Sequence, residues 1–317
     1  MPHAETPGTE TTGRLRLRWW TELPLILLVY ACYSAGRLLA RGDVSSAVDH
    51  GLTILRIEKV LRINAEHPLN RLFTREAWLG VPADFWYASL HYVVTPLVLV
   101  WLFRSRTLQY RAARTWLMTS TFIGLIGFTL LPTCPPRLLD PGHGFVDTMA
   151  QYSSYGWWAG EASAPRGLGG LTNQYAAMPS LHVGWALWCG VMLWRYSGNR
   201  LGRIAGVVYP LVTTIVVMGT ANHYFLDAAA GAAVMGVGLL LTPLVTRAAL
   251  RARGWLAARI APATDGSGGA PASIVSGGCQ TSAGERIPRQ RESRLTAGAD
   301  PGAAPKDAGD GAPAPAR

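Results

Sequence analysis

Six stretches of the chain are dominated by apolar residues, at approximately 23–39, 85–103, 115–131, 181–196, 204–221 and 225–245. A membrane-crossing helix needs about 20 mainly apolar residues, with roughly 17 to 25 tolerated, so each stretch predicts one span. The fourth is the shortest. The pattern therefore predicts an all-α fold, a six-helix transmembrane bundle. Between the first two stretches, residues 41–83 interleave Leu52, Leu55, Val60, Ile63 and Leu69 with Arg41, Arg56, Lys59, Arg62, Arg71 and Arg75. That mixture predicts helices lying at the membrane interface rather than a seventh span.

The basic residues orient the bundle. Arg14, Arg16 and Arg18 precede the first span, Arg104, Arg106, Arg111 and Arg114 separate the second from the third, and Arg195, Arg200 and Arg203 separate the fourth from the fifth. Arg247, Arg251 and Arg253 follow the sixth. With alternating spans all four clusters fall on one side, and the positive-inside tendency makes that side cytoplasmic. The expectation is a multi-pass protein of the plasma membrane with both termini in the cytoplasm. The basic residues of 41–83 run against this sidedness, although the rule weighs such longer connections less. The first stretch ends in Gly36-Arg37 without a small-residue cleavage site, so it reads as a retained span.

Composition agrees with this setting. Charged residues are 15% against 49% hydrophobic, with 12 Trp. The net charge of +10 comes largely from Arg in short loops beside apolar blocks, a topology signal rather than a nucleic-acid-binding face. No nucleic-acid partner is expected. Cys32, Cys134, Cys189 and Cys279 are widely separated, which supports neither a disulfide framework nor a zinc pattern. Residues 261–317 contain no Phe, Trp or Tyr and are dense in Gly, Pro, Ala and Ser, so they are expected to be a disordered cytoplasmic tail. Three parts result: a basic N-terminal tail at 1–18, a membrane catalytic domain at 19–260 and the C-terminal tail at 261–317. Oligomeric state is not legible.

Two polar clusters interrupt the apolar pattern, Pro179-Ser180-Leu181-His182 and His223-Tyr224-Phe225-Leu226-Asp227. Ionisable groups are costly in such surroundings and mark functional sites. The topology brings both, together with Arg137, to the outer face. Ser180 stands where an N-cap belongs, Asn222 is expected to cap the sixth span in the same way, and helix N-termini attract anions. Two helix ends and two imidazoles around one phosphate are the expectation. His223 and Asp227 are four residues apart, so on a helix the carboxylate orients the imidazole. That makes His223 a nucleophile and leaves His182 as general acid. Arg137 supplies a fixed cationic fork for phosphate oxygens.

Each assignment has a plainer counterpart. His182 alone is as consistent with a packing residue, Asp227 with a helix cap, and Arg137 with a side chain snorkelling to headgroups. Tyr87 and His91, one turn apart in the second span, either line the pocket or make an interhelical hydrogen bond. Asn173 either contacts substrate or is an ordinary loop residue. The Trp157-Trp158 pair reads as an interfacial anchor, and Gly231 as a site of close helix packing. A transporter or a lipid-binding scaffold is a further reading of the whole chain. A proton path, however, favours ionisable residues near the bilayer middle.

Pro179-Ser180-Leu181-His182 resembles the second signature of the type 2 phosphatidic acid phosphatase superfamily, and His223 to Asp227 resembles the end of its third. Tyr175-Ala176-Ala177-Met178 ahead of Pro179, and Cys134-Pro135-Pro136-Arg137-Leu138-Leu139, are most similar to the inositolphosphotransferase branch, which includes the aureobasidin-resistance enzyme making inositol phosphorylceramide. The resemblance covers residues 20 to 250. It implies double displacement: His223 takes the phosphoryl or phosphodiester group, Asp227 orients it, and His182 protonates the leaving group, with no metal and no cofactor. A hydroxyl acceptor makes the enzyme a transferase and water makes it a lipid phosphate or diphosphate phosphatase. The substrate is a phosphorylated lipid entering from the outer leaflet. Three positions depart from the superfamily pattern: Leu130 stands for Lys, Leu138 for Pro, and Val216-Val217 for Ser-Arg. The lost cations point to a substrate with less charge on phosphorus.

Overall fold

A computed structural model describes residues 19–39, 43–158 and 173–260. The described residues form ten α-helices: α1 Trp19–Leu39, α2 Val44–Leu61, α3 Glu66–Arg75, α4 Ala77–Phe85, α5 His91–Ser105, α6 Thr107–Leu130, α7 Thr148–Gln151, α8 Leu181–Tyr196, α9 Arg200–Gly219 and α10 Phe225–Ile260. A π-helical turn, Trp86–Leu90, joins α4 to α5. The tails at 1–18 and 261–317 lie outside the described residues.

Among the described residues, three helices are long and apolar enough to cross a membrane: Ala77–Ser105, Arg200–Gly219 and Phe225–Arg259. Their outward faces remain apolar. On α9, Ile204, Val207, Val208, Leu211 and Ile215 are exposed at the spacing of one helical stripe. Such a surface suits lipid, where backbone polar groups must be satisfied within the helix. The segments expected to form the first, third and fourth spans are helices too, α1, α6 and α8. The last helix runs to Ile260, through Pro243 and well past the expected end near residue 245.

α8 sits at the centre and packs against α9, α10, α5 and α6. Its Trp188 and Cys189 are fully buried in a core that also takes Leu102, Tyr110, Trp116, Tyr209 and Met235. Indole N–H groups in this core find backbone acceptors: Trp116 donates to the Met235 carbonyl at 2.7 Å and Trp188 to the Ala113 carbonyl at 3.0 Å. Glu22 of α1 and Arg114 of α6 form an ion pair that ties the first helix to the bundle.

The connection between α1 and α4 is helical, as expected. On α2 the inward positions are Ala47, Gly51, Ile54, Leu55 and Glu58, while Val60 is 82% exposed. The inward face follows the helical stripe and combines small residues, bulky apolar ones and one acid. Gly51 is where α2 comes closest, since a Cβ there would lie 2.7 Å from the Cys134 carbonyl and 2.8 Å from the Tyr224 hydroxyl. The Trp157-Trp158 pair is split. Trp157 is exposed, but Trp158 is buried, packs edge-on to Phe85 and donates to the Met149 carbonyl at 2.9 Å.

Candidate active site

Two loops and three helix ends meet above α8. The Leu131–Leu138 segment is stapled to the approach to α8: Thr133 N–H donates to the Tyr175 carbonyl at 2.7 Å and Ala177 N–H to the Thr133 carbonyl at 3.2 Å. Cys134 N–H reaches the Ala47 carbonyl on α2 at 2.9 Å. Ser180 caps α8, its hydroxyl accepting from Val183 N–H at 3.4 Å. Its own N–H donates to the Asp227 carbonyl at 2.9 Å, which joins the start of α8 to the start of α10. Gly231 makes that junction possible, because a Cβ there would meet the Ser180 carbonyl at 2.2 Å.

The two histidines are neighbours, with ring centroids 5.7 Å apart. Tyr87 stacks on His182 at 4.4 Å and 24°, and His91 meets the same ring edge-on at 4.4 Å. Tyr87 is carried by the π-helical turn, and such turns recur at functional sites because they re-aim side chains. These aromatic contacts fix the plane of His182.

His223 is held from the other side. Its Nδ1 lies 2.8 Å from the Ala177 carbonyl, a bond that puts the proton on Nδ1. Asp227 Oδ2 is 3.4 Å from the same nitrogen. The carboxylate therefore faces the imidazole as expected, but the backbone carbonyl makes the shorter contact. Nε2 is buried without a hydrogen-bond partner, which leaves its lone pair available.

The α10 terminus corrects the expected capping. Asn222 does not cap this helix and His223 is not in its first turn, because the helix begins at Phe225. Asp227 Oδ2 accepts from Tyr224 N–H at 2.9 Å, and Glu58 of α2 accepts from Leu226 N–H at 2.6 Å. The corner before it is tight: Ala221 has φ 52°, and the N–H groups of Asn222 and His223 both turn back to the Val217 carbonyl at 3.1 Å. Two of the N–H groups at this helix end, those of Tyr224 and Leu226, are thus already taken by the protein's own acids, whereas at the α8 end the cap is a neutral hydroxyl.

Asn222 instead serves Arg137. Its Oδ1 accepts from Arg137 Nε at 2.9 Å, and its amide donates to Thr220 Oγ1 at 3.0 Å. Arg137 also pairs with Asp147 through Nη1 at 2.8 Å, and its N–H donates to the Ala221 carbonyl at 2.9 Å. The arginine is thus locked beside the His223 corner, with part of its charge met by Asp147. Asn173 is mainly a turn former, its Oδ1 accepting from Tyr175 N–H at 3.0 Å.

Glu58, Glu66, Asp147 and the Ala177 carbonyl are elements of the site that sequence reasoning passed over. For Glu58 there was a signal: it continues the stripe Gly51, Ile54, Leu55 by one helical step, an acid on an inward face. Among the described residues, no group of three or more His, Cys, Asp or Glu is arranged to hold a metal ion.

The model of the family described as the PAP2 superfamily matches residues 52–241, more than half of the chain. That stretch contains every residue of the site. No curated protein and no solved structure matches the chain.

Proposed function

The chain belongs to the PAP2 superfamily, and on that premise we propose that it is an integral membrane phosphotransferase, inositolphosphotransferase-like, acting on a phosphorylated lipid through a phosphohistidine at His223. Superfamily members are generally phosphatases or phosphotransferases of lipid phosphates. The observation that carries the reading is His223 Nε2, buried and unpartnered, next to the ring of His182.

In the first step Nε2 attacks phosphorus, the N–P bond forms and the bond to the leaving oxygen breaks as His182 gives that oxygen a proton. Asp227 stabilises the positive charge that develops on His223, and the Ala177 carbonyl keeps the Nδ1 proton in place. Arg137 and the α8 N-terminus face the phosphate oxygens. In the second step His182 takes the proton of the acceptor hydroxyl, whose oxygen bonds to phosphorus as the N–P bond breaks and frees His223. The steps call on no metal.

Val216 and Val217 support a substrate with less charge on phosphorus. They occupy positions where the superfamily keeps polar and cationic groups, and here they are buried in apolar packing, Val217 with Val183, Met218 and Ala228. Leu130 is 75% exposed at the end of α6 and offers no charge. A phosphodiester or diphosphate lipid fits such a pocket better than a phosphomonoester.

Six crossings, by α1, the Ala77–Ser105 helix, α6, α8, α9 and α10, complete the proposal. At 16 residues α8 is about 24 Å long, short for a span, but it is enclosed by other helices and need not match the lipid. The Arg clusters then lie in the cytoplasm with both termini, and the site opens on the outer face of the plasma membrane.

The test is an assay of His223→Ala and wild-type protein with radiolabelled lipid phosphates, with and without inositol or other alcohols. Label transferred to the alcohol by the wild type alone supports the proposal. Turnover retained in His223→Ala would remove the nucleophile, and release of phosphate without transfer would make the protein a phosphatase.

A further inference from the structure

Behind the His223–Asp227 pair lie two carboxyl groups that the proposed chemistry does not use. Glu58, in the last turn of α2, and Glu66, in the first turn of α3, are both wholly buried. They face each other within hydrogen-bonding reach, and the same side chains lie close enough to Asp227 to feel its charge. Glu58 Oε1 takes the Leu226 N–H at 2.6 Å. Glu58 Oε2 and both oxygens of Glu66 meet no donor of proper geometry.

Three buried acids cannot all be ionised at modest cost, since like charges in one desolvated site disfavour each other. The other titratable groups facing them are Lys59 on α2, Tyr224 at the corner before α10, and His223 on the far side of Asp227. A proton placed between the two glutamates supplies the donor that their oxygens lack and removes one negative charge. We propose that Glu58 and Glu66 share one proton and act as a positioning pair for the reaction, holding the first turn of α10 so that His223 and Asp227 keep their places.

Burial, the largest cause, pushes the Glu58 carboxyl up to about 8 and moves Glu66 in the same direction. The shared proton is therefore present at neutral pH and is lost as pH rises through about 8. Deprotonation then sets a second negative charge beside Asp227 and loosens the α10 terminus. In its kinetic arm the inference rests on His223 as nucleophile; in its structural arm it does not.

The experiment compares the full-length wild type with Glu58→Ala, Glu58→Gln and Glu66→Gln in detergent. Amide hydrogen exchange over residues 220–232 should rise about tenfold in Glu58→Ala, the loss expected for one buried charge-assisted hydrogen bond. kcat should fall by a similar factor with KM little changed. Glu58→Gln, whose amide accepts from Leu226 and donates to Glu66, should restore both and remove the alkaline fall in kcat above about pH 8. Subtracting the infrared spectrum of Glu66→Gln from that of the wild type should leave the carbonyl band of a protonated acid. Unchanged exchange in Glu58→Ala, or no such band, would overturn the pair whatever the activity. Should Glu58→Ala fail to fold, the band and the Gln variants decide alone. The expected rise in exchange in Glu58→Ala and the protonated-acid band, together with a fully active His223→Ala protein, would instead defeat only the nucleophile.

Discussion

At the start of α8 the cap is a neutral hydroxyl, Ser180 Oγ on Val183 N–H at 3.4 Å, whereas at the start of α10 two carboxylates do that work, Glu58 on Leu226 N–H at 2.6 Å and Asp227 on Tyr224 N–H at 2.9 Å. Both ends carry a histidine of the site and both carry the partial positive charge of a helix N-terminus. α10 is anchored by the protein's own acids and presents His223 rigidly. The α8 end, with His182 in its first turn, has only the neutral Ser180 hydroxyl as its cap. In the proposed reaction the α10 terminus holds the nucleophile and the α8 terminus receives the phosphate.

The comparison breaks most severely at the two histidines. His223→Ala should reduce turnover to background, a loss on the order of 10⁶-fold where a covalent nucleophile is removed, measured by transfer of labelled lipid phosphate. His182→Gln should cost about 10²- to 10⁴-fold, the range for a general acid. That loss should shrink when the leaving group is a nitrophenolate, which needs no proton. Equal losses with both leaving groups would contradict the division of labour between the two ends. Gly231 joins the ends, so Gly231→Ala should push Ser180 away from α10 and cost about 1–3 kcal/mol, seen as a lower unfolding temperature and weaker activity together. Ser180→Ala should have the smallest effect on stability, about 1 kcal/mol, with a rise in KM. A comparable KM rise in Glu58→Gln would mean that substrate also uses the α10 end.

Much of this was readable along the chain because it depends on neighbours within one helical turn. The bounds of α8, Ser180 as its cap, and the proximity of His223 to Asp227 all follow from spacing. The cap of α10 was misplaced: Asn222 as cap would start the helix at His223, two residues before its observed start at Phe225. Asn222 is a good cap by residue type, but it is held instead by Arg137 and Thr220, and the positive φ at Ala221 closes the corner before the helix begins. Asp147 gave no signal at all. It sits ten residues after Arg137, and only the fold of the intervening loop, with its turns at Pro136–Leu138 and Pro141–His143, folds it back onto the guanidinium. Tyr87 was a candidate for the pocket by its place one turn from His91, but its stacking on His182 comes from the π-helical turn that carries it.

Local pattern was sufficient for the helical class, for the three helices long and apolar enough to cross a membrane and for the two polar clusters, since hydrophobic periodicity and capping act over a few residues. Partnership was decided by tertiary structure. Nδ1 of His223 is bound by a carbonyl forty-six residues away, and the α10 terminus by a glutamate one hundred and sixty-eight residues away. A buried donor or acceptor takes whichever group packing brings within about 3 Å, and spacing along the chain does not specify that group.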